Sequence, residues 1–160
     1  MLLGIFGGSF DPVHLGHLIL AEQCREQAGL DRVLFVPAAR PPHKPDRRLA
    51  PFSQRVEMLA LALSGQPAFQ LDELENDRPG PSYTADTLDE LHRRHPRAET
   101  WLILGADSVV DLPLWHEPLR ILARAGLLIV GRPGFTPPDL ATLRVNLRLA
   151  SDAPIRARSV

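Results

Sequence analysis

Two histidines three residues apart, His14 and His17, lie in the string M-L-L-G-I-F-G-G-S-F-D-P-V-H-L-G-H that opens the chain. Residues at i and i+3 share one helix face, so two imidazoles there can both donate to phosphate oxygens. The same pair could hold a metal with Asp11 as third ligand, although no obvious fourth ligand stands nearby. What precedes the pair suits an anion. Leu2, Leu3, Ile5 and Phe6 form an apolar run of the buried-strand kind. Gly7 and Gly8 are expected to end it, where a backbone free of side chains can turn and approach a ligand. Pro12 keeps the residue before it out of the α region. From about Val13 the spacing turns helical, with Leu15, Leu18 and Ile19 expected on one side. The unit is therefore strand, turn, helix, and its helix N-terminus carries orphan N–H groups and a partial positive charge.

Further polar groups follow at the ends of other predicted strands. Arg32 to Pro37 reads as a second buried strand, and 38–51 after it carries Arg40, His43, Lys44, Arg47, Arg48 and four prolines. Such a run is either a solvated loop or an anion-binding one. Its place beyond a strand end, where open α/β sheets bind ligands, supports the second. Phe52 to Ser64 reads as a helix with a stripe of Val56, Leu59, Ala60 and Leu63. Ala68 to Leu71 is a short third strand, and Asp72 to Asp77 is expected to be a solvated acidic turn. Ser82-Tyr83-Thr84 opens a helix running to about His92, with Thr84 as a plausible N-cap. Thr100 to Leu104 is a fourth strand and Gly126 to Val130 a fifth. Gly105 and Asp107 follow the fourth; Asp107 either accepts from a ribose hydroxyl or caps a helix. Trp115 lies in an irregular link before a helix with Pro118 in its first turn, and its ring is either core or a stacking face. Arg132 follows the fifth strand as a further anion donor. Leu140 to Leu149 reads as helical in part.

Strands alternating with helices predict an α/β fold, a doubly wound and mostly parallel sheet. With 160 residues, 44% hydrophobic and 23% charged, the expectation is a single domain over 1–160 with a substantial core. A net charge of −1 gives no general attraction to nucleic acid or membrane. No run is long enough to span a bilayer and no signal peptide is evident. The one cysteine, Cys24, excludes an intramolecular disulfide and reads as structural. A cytoplasmic location is expected; the oligomeric state is not legible.

The string G-x-F-D-P-x-H-x-G-H after a first strand resembles the signature of the nucleotidylyltransferase superfamily, whose fold is Rossmann-like. Three further segments, P-P-H-K, S-Y-T-A-D-T-L and G-A-D-S, are similar to motifs of the nicotinate-mononucleotide adenylyltransferases and stand in that family's order. The resemblance spans about Leu3 to Pro133. It implies adenylyl transfer from ATP to nicotinate mononucleotide, giving deamido-NAD and pyrophosphate. It implies that His14 and His17 act on the triphosphate, and that Phe6, Gly7, Gly8, Ser9, Gly105 and Asp107 hold ATP. It further implies that His43, Lys44, Tyr83, Thr84, Trp115 and Arg132 hold the mononucleotide. Mg²⁺ would arrive with ATP, without metal ligands from protein side chains. The family's closing I-S-S-T-x-I-R motif is not matched by S-D-A-P-I-R-A-R-S-V, where only Ile155-Arg156 agrees. The expectation there is a truncated or internally shortened segment. Two other functions stand beside this one: a phosphopantetheine adenylyltransferase, and a module that senses pyridine nucleotides without turnover.

Overall fold

Alternate residues of each central strand pack against opposite layers of helices, and this alternation organises the molecule. The computed structural model describes residues 1–42, 48–131, 134 and 136–160. His43, Lys44 and Arg132 lie outside the described residues. The chain order is β1 (Leu2–Gly8), α1 (Leu15–Ala28), β2 (Arg32–Pro37), α2 (Phe52–Leu63), β3 (Phe69–Leu71), α3 (Thr84–Arg94), β4 (Glu99–Gly105), α4 (Ala106–Asp111), a 3₁₀ turn (Leu112–Leu114), α5 (Pro118–Arg124), β5 (Gly126–Val130), α6 (Leu140–Asn146) and β6 (Ala157–Ser159). The six strands pair in parallel in the order β3-β2-β1-β4-β5-β6. This is the doubly wound sheet predicted, with its reversal of strand order between β1 and β4.

Leu3, Ile5, Leu34, Val36, Leu102, Leu104, Leu127 and Ile129 meet Ala85, Leu88 and Leu91 of α3, Val109 of α4, Ile121 of α5 and Leu143 of α6. Phe6, Val33, Phe35, Trp101, Ile103 and Leu128 meet Ala21, Cys24 and Ala28 of α1 and Leu59 and Leu63 of α2. Strands buried on both faces in this way read as continuous apolar runs, which is why the sequence identifies them. Cys24 is fully buried, and burial pushes its thiol up to about 11, in keeping with a structural role.

Several local expectations are corrected. Gly7 and Gly8 are the last residues of β1, still paired with Val36 and Pro37, and the turn comes later, at Asp11 and Pro12. Helix α1 starts at Leu15 rather than near Val13, with His14 as its N-cap. Leu15 and Ile19 are exposed, because the buried face of α1 is the small-residue line Ala21, Cys24, Ala28. Ala60 is exposed on α2 and its place in the buried stripe is taken by Arg55. Tyr83, not Thr84, is the N-cap of α3. The segment 72–77 is not wholly solvated: Leu74 and Glu75 are buried. Gly29 does end α1, in the left-handed conformation expected of a C-terminal glycine (φ 67°). The C-terminal residues form β6, a sixth strand that the sequence did not announce; Ile155 before it is buried.

Trp101 shows how tightly the sheet is packed. A Cβ on Gly126 would fall 2.6 Å from its indole ring, which Arg158 covers on another side at 4.5 Å. An indole so confined cannot swing away. Gly126→Ala should therefore destabilise the fold by about 1–3 kcal/mol in urea unfolding.

Candidate active site

A cavity of about 270 Å³ opens where β1 and β4 diverge, at the carboxyl ends of both strands. Its inner wall is Ile5 to Ser9 from β1 and Leu102 to Gly105 from β4. Its outer end is closed by Ala38, Pro41 and Pro42 after β2, by Ser82, Thr84 and Thr87 around the start of α3, and by Trp115. Phe6, Gly7, Gly8, Ser9, Gly105, Thr84 and Trp115 are thus brought to one cavity from four separate stretches of sequence.

The loop between β1 and α1 is held from below by aromatic packing. Phe10 has φ 46°, a left-handed conformation that a bulky side chain resists. Its ring is buried, 5.4 Å from Phe6 edge-on and 5.7 Å from Phe35. A Cβ on Gly8 would lie 3.2 Å from that ring, so the glycine makes room for it. His17 packs over both Phe10 (5.1 Å) and Phe6 (5.9 Å). The loop and the histidine are therefore one packed unit.

His14 and His17 stand beside this loop, at the first turn of α1, rather than in the cavity wall. Their rings lie 3.8 Å apart. The N–H of His14 donates to Nδ1 of His17 at 3.2 Å, the reach-back half of a capping box. That bond leaves the proton of neutral His17 on Nε2, where it is a donor. Burial lowers the pKa of His17, and the neighbouring His14 lowers it further. A neutral ring carrying an Nε2–H donor suits a phosphate oxygen.

At the other end, Ser82 accepts from the N–H groups of Ala39 (3.1 Å) and Arg40 (2.9 Å), tying the loop after β2 to the start of α3. Below it Glu75, 7% exposed, accepts from the Thr87 hydroxyl at 2.6 Å, and Arg78 donates to the same hydroxyl at 3.1 Å. Burial pushes the Glu75 carboxyl above its ordinary value, against the pull of Thr87, Ser82 and Arg78. The ring of Tyr83 does not line the cavity; it stacks on His116 at 4.1 Å. Arg120 pairs with Asp86 and Asp89 and Arg124 with Asp89, so α5 and the Trp115 link before it are fastened to α3. Asp107 is exposed in the first turn of α4, and Ser108 rather than Asp107 faces the cavity.

Sequence reasoning missed Glu75, Ser108, His116 and Arg55. Only Arg55 left a readable trace, since 55, 59 and 63 follow the spacing of a buried helix stripe. Among the described residues no three His, Cys, Asp or Glu side chains come together to hold a metal. No helix among them is long and apolar enough to cross a membrane.

The pKa of His17 makes a testable demand on stability. Its folded value lies below the ordinary 6.5 that an unfolded chain shows. Between those two values the unfolded chain binds a proton that the folded chain refuses. Stability is then complete above pH 6.5 and falls as pH drops toward the folded pKa. Urea unfolding between about pH 5 and 7.5 should show this loss, and His17→Gln should flatten it.

The family model described as cytidylyltransferase-like matches residues 5–153. A probable nicotinate-nucleotide adenylyltransferase of Pelobacter propionicus is 47% identical over 92% of this chain and 69% of its own. One from Thermus thermophilus is 53% identical over 91% of this chain and 76% of its own. The solved Plasmodium falciparum nicotinic acid mononucleotide adenylyltransferase complexed with NaAD superposes with a TM-score of 0.77, covering 99% of this chain and 74% of that one at 19% identity, a likeness of fold. By sequence, fold and the placing of its cavity, the chain belongs to the nicotinate-nucleotide adenylyltransferase family among the cytidylyltransferase-like proteins.

Proposed function

We propose that this chain transfers the adenylyl group of ATP to nicotinate mononucleotide, forming deamido-NAD and releasing pyrophosphate. The observation that carries the reading is the division of one cavity into two ends. The β1 loop, with the first turn of α1 beside it, offers N–H donors at one end. Trp115 and the start of α3 offer a flat face and a second helix N-terminus at the other.

A phosphate oxygen of the mononucleotide would attack the α-phosphorus of ATP in line. The new P–O bond forms as the bond to the β-phosphate oxygen breaks, and pyrophosphate leaves with the electron pair. No protein nucleophile is required, so the residues contribute position and charge stabilisation. His17, neutral and donating from Nε2, would stabilise charge on the reacting and leaving phosphates, with His14 beside it. The backbone of Phe6, Gly7, Gly8 and Ser9 would approach the nucleotide, with Gly105 and Asp107 at the β4 end. The donors beside the loop are imidazole and backbone N–H groups, which fit phosphate oxygens rather than a bare cation. Mg²⁺ would accordingly enter bound to ATP and neutralise the departing pyrophosphate. His43, Lys44 and Arg132 would add cationic contacts to the mononucleotide, and Tyr83 would shape the pocket through His116. ATP as co-substrate and a buried, unpaired cysteine support a cytoplasmic location.

The N–H groups in the first turn of α3 have no intrahelical acceptor. A nicotinate carboxylate can take two of them and gains from the helix dipole. The amide of nicotinamide mononucleotide would turn an NH₂ toward those donors and leave one unpaired. Pyrophosphate release should therefore be fastest with nicotinate mononucleotide, at least about tenfold lower in kcat/KM with the amide, and absent with phosphopantetheine. Comparable rates with acid and amide would remove the assignment to the start of α3. Turnover with phosphopantetheine alone would replace the substrate.

A further inference from the structure

Arg55 is 2% exposed and is the largest fully buried side chain among the described residues. Burying a guanidinium is costly, and an apolar residue at the first position of the α2 stripe would serve packing alone. Its hydrogen bonds show what the charge is used for. Nη1 donates to the carbonyl of Ser9 at 2.7 Å and Nε donates to the carbonyl of Ala50 at 3.1 Å. Asp11 completes the arrangement, its Oδ2 accepting from the N–H of Ala50 at 3.2 Å. Both polar groups of Ala50 are thus tied to the β1 loop side, and the loop is held at Ser9 and at Asp11. The guanidinium also lies over the ring of Phe52, 5.4 Å from its centre. Burial lowers the pKa of Arg55 while the charge of Asp11 raises it, and an arginine stays protonated under either influence.

Ser9 is one residue before Phe10, whose backbone is left-handed. In a trans peptide the carbonyl and the following N–H point in opposite directions. Fixing the Ser9 carbonyl therefore fixes the plane that leads into Phe10 and the direction of the Phe10 N–H. Phe10 in turn carries the ring against which His17 packs. We propose that Arg55 is a positioning residue for adenylyl transfer: its guanidinium fork, bridging the Ser9 and Ala50 carbonyls, holds the β1 loop and through Phe10 the His17 imidazole in the geometry that binds the triphosphate. This rests on the reading of the site given above. Arg55 is buried and does not line the cavity between β1 and β4; in this proposal it acts through the loop. A lysine cannot span both carbonyls, because it has one nitrogen where the fork has two in fixed relation.

The test compares Arg55→Ala and Arg55→Lys with the parent, after thermal unfolding has established that each is folded. Arg55→Ala should lose about 10- to 100-fold in kcat and about tenfold in ATP affinity by calorimetry without a second substrate, the scale of a lost hydrogen bond to a charged group. Its KM for nicotinate mononucleotide should change clearly less than its ATP affinity, since Trp115 and the start of α3 are held by other elements. Guanidinium ion in solution should restore part of the kcat of Arg55→Ala. Arg55→Lys should fall between the two. A folded Arg55→Ala with kcat and ATP affinity within about threefold of the parent, or equal weakening toward both substrates, would reduce Arg55 to a core residue and overturn the proposal. If Arg55→Ala does not fold, Arg55→Lys decides by the same readouts: parent-like kcat and ATP affinity would overturn the need for a fork. A parent that binds ATP but does not turn over nicotinate mononucleotide would defeat the functional reading instead. The ATP affinities of the variants would still judge Arg55.

Discussion

Phe10 is held in a conformation that its own side chain opposes, and the active site depends on what keeps it there. A left-handed backbone costs a non-glycine residue about 1–2 kcal/mol. Burying its ring against Phe6 and Phe35 more than offsets this, since a buried phenylalanine contributes about 1.5–3 kcal/mol. The result is a loop whose bend is fixed by the core rather than by its own residues. Gly8 is required because any side chain there would meet the Phe10 ring. His17 rests on that ring with its inner nitrogen occupied by the N–H of His14. The histidine is oriented and kept neutral before any ligand arrives, which is the preorganisation that charge stabilisation in a transition state needs.

The sheet supplies the second half of the constraint. Because strand order reverses between β1 and β4, the connections leaving these strands go to opposite layers and a cleft opens between them. Helices α1 and α2 lie on one layer and α3 to α6 on the other. The β1-loop end of the cavity belongs to the first layer and the Trp115 end largely to the second. Ser82 and Glu75 join the loop after β2 to α3, and Arg120 and Arg124 join α5 to α3. Trp115 is consequently carried on a segment fastened to the same helix whose N-terminus faces the cavity. The spacing between the two ends is set by the sheet, which is rigid, rather than by the loops themselves.

Much of this was legible in the chain. Strands buried on both faces are continuous apolar runs, so β1, β2, β4 and β5 stood out, and the parallel alternation followed. The string from Gly8 to His17 announced a turn and a helix, although the helix begins two residues later than its spacing suggested. The misses have physical reasons. Leu15 and Ile19 follow helical spacing yet face solvent, because His17 and Leu18 turn the first part of α1 toward the core and small residues make the contact further on. Arg55 and Glu75 are buried charges, and a charge in a sequence reads as surface until its partners are known; here the partners are carbonyls and hydroxyls 5 to 46 residues away. Strand β6 is a three-residue edge strand of Ala157, Arg158 and Ser159, too short and too polar to show a pattern. The stacking of Tyr83 on His116 was not legible, because only the fold brings that partner near.

The account places its chemistry in a preorganised neutral imidazole beside a core-anchored loop. The measurement that reaches this most directly is the turnover of His17→Ala with ATP and nicotinate mononucleotide, on protein shown to be folded. Loss of one transition-state donor predicts a fall in kcat of about 10²–10³, with little change in KM for the mononucleotide. A folded variant that turns over within about threefold of the parent would contradict the role of His17, and with it the account of why the β1 loop is built as it is.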